Sequence, residues 1–295
     1  MRGRRHDIRI TILSFIAIIG SGAIGGAVAQ ALAVRDRVDE VRLIDTAGSI
    51  ARGKALDIQQ SSPVDGFSTK VSGAEAIEAA IGGEVIVIAD AANGNAEHAG
   101  EAGLGLIRHL GRAGNRAPIV FAGATQTELL GRTVSELHVP RDQVLGSAPL
   151  ALESALRALT GLALDGSAVE VSLRVVGHPP RNAVVAWEEA TAFGQPLSTQ
   201  LPPHIIAGLS ARIPGLWPPG PYALASAAAR VVEAIVAGSR KRFSCFVAID
   251  GGPVRTAAVA MPVELGPQGV ARVLEPALTR QERTLLENAV DGKLR

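Results

Sequence analysis

FIAIIGSGAIGGAVAQALAV, residues 15–34, admits two readings that lead to different proteins. It lies within Thr11–Val34, 24 residues without a charge, directly behind the basic start MRGRRHDIR. That length suits a membrane-spanning helix, which needs about 20 apolar residues. The interior fits less well. Gly20, Gly22, Gly25 and Gly26 crowd its middle, where each costs a soluble helix up to about 1 kcal/mol relative to Ala. Membrane helices tolerate glycine, so the flanks decide. IRITILSFIAII, residues 8–19, is rich in β-branched residues, as a buried strand should be. AVAQALAV, after the glycines, is a good helix former.

Next comes EVRLID, a short apolar strand that ends in Asp45, 20 residues beyond Gly25. Strand, G-x-G-x-x-G turn, helix, strand and terminal acid together form the dinucleotide-binding fingerprint. Gly20 permits the tight turn, Gly22 lets the backbone approach a pyrophosphate, and Gly25 lets helix and strand pack closely. The helix start offers free N–H groups and a positive dipole end to the phosphates. Asp45 would accept from the ribose hydroxyls and repel a 2′-phosphate, favouring NAD over NADP. Ala23 and Ile24 in the turn, and Ala122 at the end of a later strand, complete the expected cofactor contacts.

Further strands follow at α/β spacing. EVIVIAD (84–90) and PIVFAG (118–123) read as buried parallel strands, and QVLGS (143–147) as a shorter one. The fold class expected is α/β, a Rossmann-type doubly wound parallel sheet over the first half, with ligand at the carboxyl ends of its strands.

With 295 residues there is room for one large or two ordinary domains. Net charge is +1, which gives no electrostatic footprint for nucleic acid or anionic lipid. Cys245 is the single cysteine, so neither a disulfide framework nor a thiolate metal site is expected, and its FSCFVAID setting reads as buried strand. No metal is implied. Arg240-Lys241-Arg242 reads as a solvated helix end. Six prolines between 202 and 221 suggest an irregular connection.

IAIIGSGAIGGAVAQALA, LIDTAGSIARGKALDIQQSSPVDGF, VPRDQVLGSA, VVGHPPRNAVVAW and MPVELGPQGVARVLEPALTRQERTLLENA resemble the lactate/malate dehydrogenase family, the second segment especially its bacterial malate dehydrogenases. The likeness weakens at 91–116 and 195–222. It implies an NAD-binding domain, taken as 1–147, and a mixed α/β substrate domain, 148–295. It also implies a cytoplasmic homodimer or homotetramer that moves a hydride between NAD and a 2-hydroxy or 2-oxo acid. An exported or anchored protein is the reading the basic apolar start alone would favour, and neither membrane nor nucleic acid is expected as a partner.

In that family a histidine paired with an aspartate takes the hydroxyl proton, arginines hold the substrate, and an asparagine assists. The family's G-x-H-G-D corresponds to Val176-Gly177-His178-Pro179-Pro180 here, which places His178 at the proton acceptor. The L-D-x-A-R helix corresponds to LALESALRAL, residues 150–159. Ungapped, Asp becomes Leu152 and Arg becomes Ala155; with one insertion they become Glu153 and Leu156. Glu153 is therefore the candidate orienter of His178, and Arg157 is misplaced by one or two positions, roughly 100–200° around a helix. The loop ADAANGNAEHAGEAGLGLIRHLG has no arginine before Arg108, and the family's Asn-Pro is Ala124-Thr125. His98 and His109 read as surface residues, one or both, and Arg181 as a solvated loop charge. Each lost electrostatic stabiliser costs roughly 10²–10³ in rate. A catalytically weak or silent NAD-binding homologue, structural or regulatory in role, is accordingly the alternative.

Overall fold

The computed structural model describes residues 14–250 and 256–290. The basic start and the first residues of the IRITILSFIAII run lie outside them. The first half alternates strand and helix: β1 Phe15–Ile19, α1 Ala23–Arg35, β2 Glu40–Ile44, α2 Gly48–Asp65, β3 Lys70–Ala74, β4 Val85–Ile88, α3 Gly100–Arg112, β5 Ile119–Phe121, α4 Thr127–Ser135 and β6 Val144–Gly146. These strands pair in parallel in the order β3-β2-β1-β4-β5-β6. The chain order reverses beside β1, so a crevice opens where the carboxyl ends of β1 and β4 diverge.

The opening run owes its apolarity to this position. Ile18 pairs with Leu43 on one side and Val87 on the other, and Ile16, Ala17 and Ile18 are fully buried. Helix α1 buries Ile24, Val28, Ala29, Leu32 and Ala33. It packs between the sheet and a later helix, which leaves a narrow strip with Gln30 and Val34 open to water. Among the described residues no helix is long and apolar enough to cross a membrane.

The second half continues through α5 Ala148–Ala163, β7 Val171–Ser172, β8 Val175–His178, β9 Asn182–Val185, β10 Thr191–Ala192, β11 Gln195–Pro196, α6 Pro203–Ala211, α7 Pro221–Val236, β12 Arg242–Asp250, β13 Thr256–Gly266, β14 Gly269–Val273 and α8 Arg280–Val290. Strand β12 joins β6 antiparallel, with Val247 opposite Leu145, and β13, β8 and β9, with β14 paired to β13, extend the same sheet to 11 strands. Helix α7 is the one that covers α1.

The larger apolar core combines the parallel strands with α7, β12 and β13. A smaller one gathers Leu152, Leu156, Val171, Leu197 and Leu209 beneath α5 and α6. Cys245 is fully buried in β12, and Arg240 to Arg242 are exposed. The proline-rich stretch is more regular than its composition suggests. Pro203 and Pro221 occupy the first turns of α6 and α7, where a missing N–H is tolerated. Between those helices Ile213–Leu216 forms a short 3-10 turn, with Pro214 in its first turn.

Candidate functional site

The glycine turn between β1 and α1 has the geometry the fingerprint requires. Gly20 sits at φ +100°, open to glycine but strained for other residues. A Cβ on Gly25 would strike the Gly20 carbonyl oxygen, so the third glycine does permit the close packing of helix on turn. Lys54 Nζ donates to the Gly22 carbonyl at 2.8 Å and ties α2 to the turn.

Every backbone amide of the turn is already engaged within this chain. Gly20 N donates to Ile44 O, and Ser21 N to Asp45 Oδ2 at 2.9 Å. Gly22 N donates to the Asp90 carbonyl. Ala23 N donates to Asn95 Oδ1 at 3.0 Å, Ile24 N to Asp90 Oδ2 at 3.1 Å, and Gly25 N to Asp90 Oδ1 at 2.9 Å. Gly26 N closes on Gly22 O. The donors that would meet a pyrophosphate all face oxygens of this chain, two of them on one carboxylate. Asp90 is 1% exposed, and its carboxylate lies against the open face of Gly22, where a Cβ would collide with it.

Asp45 ends β2 as expected but is also turned inward. It accepts from Ser21 N and, at 2.9 Å each, from Ala92 N and Ala47 N. Burial alone would raise its pKa; the backbone N–H groups outweigh that and hold the carboxyl below its ordinary value.

The segment after β4 folds over the same crevice. Asp90 and Glu97 form a β-bridge, and Ala91 N donates to Ala96 O. The Glu97 carboxylate accepts from Ala124 N at 2.9 Å, Thr125 N at 2.7 Å and the Thr125 hydroxyl at 2.5 Å. It thereby occupies the loop that follows β5, next to Ala122, which is fully buried. Gln126, also buried, accepts from Gly123 N and donates to Ala89 O and His98 O. His109 is exposed beside Glu78 at 2.7 Å, in line with a surface reading. His98 is only half-exposed. Its Nε2 is buried with no hydrogen-bond partner, and burial lowers its pKa despite the nearby carboxylates of Asp45 and Asp90.

His178 ends β8, partly buried, and burial lowers its pKa, so the imidazole is neutral at neutral pH. The structure does not pair it with Glu153. Glu153 gives one carboxylate oxygen to Arg174 at 3.0 Å and the other to the Ser244 hydroxyl at 2.8 Å. Ser244 Oγ in turn accepts from Val175 N. Glu153 is buried, and burial raises its pKa against the pull of Arg174. It behaves as a brace between α5, β8 and β12. Arg157 donates to the carbonyls of Ala168 and Val169, and Arg181 is exposed. Sequence reasoning missed Asp90, Asn95, Glu97, Arg174 and Ser244. The one available signal was that β4, like β2, ends in an acid.

The sheet order and turn define a doubly wound dinucleotide-binding protein. Residues 15–108 match the family model described as lactate/malate dehydrogenase, NAD binding domain. A malate dehydrogenase of Neorickettsia sennetsu is 28% identical over 304 residues, covering 93% of this chain and 95% of that one. The malate dehydrogenase from Salinibacter ruber has the same fold, with a TM-score of 0.80, 24% identity, and coverage of 95% and 96%. So does the lactate dehydrogenase from Cryptosporidium parvum complexed with lactic acid and NAD, at a TM-score of 0.80, 24% identity, and coverage of 96% and 98%. Over most of its length the chain is thus similar to malate and lactate dehydrogenases, and its residues 15–108 match the NAD-binding domain of that family.

Proposed function

We propose that the protein is an NAD-dependent oxidoreductase that transfers a hydride between the nicotinamide and a 2-hydroxy acid of the malate or lactate type. The observation that carries this reading is His178: it ends β8, and burial keeps its imidazole unprotonated, ready to accept the hydroxyl proton. The backbone of the glycine turn fits a dinucleotide, but its donors are already engaged by Asp90 and Asn95, so the phosphates bind only once those side chains leave. NAD, once bound, supplies or accepts the hydride. Residues 1–147 are assigned to the cofactor and 148–295 to the substrate, in a cytoplasmic homodimer or homotetramer, on the strength of the family.

The test is NADH absorbance over a panel of 2-oxo acids including oxaloacetate and pyruvate. NADH consumption with at least one of them is expected. It should fall by roughly 10²–10⁴ in His178→Gln, the range for loss of a general acid–base group. Absence of consumption with every acid, together with absence of NADH binding, would refute the proposal.

A further inference from the structure

The segment that in the resembling family carries substrate-binding arginines here carries Asp90, Asn95 and Glu97, and each takes backbone N–H groups from the walls of the nucleotide crevice. We propose that residues 90–99 form a built-in lid that holds the crevice shut, with Asp90 standing in for the pyrophosphate, so that a dinucleotide binds only by displacing it. This rests on the NAD reading above and adds a regulation of that site.

Three independent features support it. First, the two carboxylate oxygens of Asp90 take Ile24 N and Gly25 N, the amides at the positive end of α1, as a bound anion would. Second, the closure is anchored at a separate wall, where Glu97 occupies Ala124 N and Thr125 N of the loop after β5. Third, Asp45 links lid to turn, because one oxygen accepts from both Ser21 N and Ala92 N. A pyrophosphate entering this arrangement meets the carboxylates of Asp90 and Asp45 and finds every backbone N–H from Gly20 to Gly26 already engaged; the Ser21 hydroxyl and the Lys54 ammonium beside Gly22 remain to meet it. Its apparent affinity is therefore reduced by the fraction of molecules whose lid is open.

The test uses the full chain as wild type, Asp90→Ala and Glu97→Ala, titrated separately with NADH and with inorganic pyrophosphate. Circular dichroism verifies that each variant is folded. Asp90→Ala is expected to bind both probes at least tenfold more tightly than wild type. Glu97→Ala is expected to tighten both probes but by less, because it frees one anchor of the lid while Asp90 still holds the turn amides. Should Asp90→Ala not fold, Asp90→Asn replaces it, an uncharged isostere expected to shift affinity in the same direction by less. Tighter pyrophosphate without any NADH binding would keep the lid and overturn the dinucleotide reading. Ordinary NADH affinity, equal in wild type and the Asp90 variant, would keep that reading and overturn the lid.

Discussion

Replacing Glu153 by Leu separates two roles for this residue, since a brace and an orienter of His178 fail in different ways. The substitution leaves Arg174 without its carboxylate and Ser244 without an acceptor for its proton. Removing one member of a buried ion pair typically costs about 3–5 kcal/mol. The Arg174 side chain retains 22% exposure and also donates to the Leu173 carbonyl, so it can relax toward water. The lower end, about 3 kcal/mol, is therefore expected. For a chain of this size that corresponds to a fall in Tm of roughly 6–12 °C, readable by circular dichroism. Glu153→Leu combined with Arg174→Met should recover much of the loss, because exchanging both partners for apolar groups is often near neutral.

The pH dependence has a definite sign. Burial raises the folded pKa of Glu153 above its unfolded value, so its contribution is present below about pH 4.3 and is lost as pH rises through the folded value. Glu153→Gln should remove that component. The brace is refuted if Glu153→Leu leaves Tm within about 1 °C of wild type while displacing the acid limb of the turnover profile, which belongs to His178.

Two further perturbations act on the crevice. Gly25→Ala drives a methyl into the Gly20 carbonyl, and overpacking of this kind costs about 1–3 kcal/mol in urea unfolding; unchanged stability would contradict the close packing of turn on helix. The folded pKa of Asp45 is lowered, so its contribution is present above about pH 3.9 and disappears as pH falls through the folded value. Asp45→Asn should therefore be less stable than wild type at neutral pH and converge with it in acid, and parallel curves would show that its three amide bonds carry no linkage.

Elements within one sequence neighbourhood were readable before the structure. Turn, helix and acid-terminated strand at residues 15–45 follow from glycine placement and β-branched density, both local properties. Partners set by strand order were not. Asp90 reaches Ile24 only because β4 lies beside β1, a consequence of the order reversal rather than of any spacing along the chain. Glu153 illustrates the same limit: its carboxylate was visible on the helix, but its partners stand 21 and 91 residues away. His98 read as a surface residue, yet its Nε2 is buried although Ala96, Ala99 and Gly100 around it in sequence are exposed.

The continuation of the parallel sheet through β6 into β12 bears on dissection of the chain. A fragment ending near residue 147 would present β6 as a bare strand edge, since its outer partner is supplied from β12. It would also strip α7 from the outer face of α1, whose residues are apolar on both sides. Such a piece would expose a template for intermolecular strand pairing beside an uncovered apolar face. The nucleotide half is thus not a portable module: its solubility is provided by residues encoded more than 70 positions downstream of its last strand.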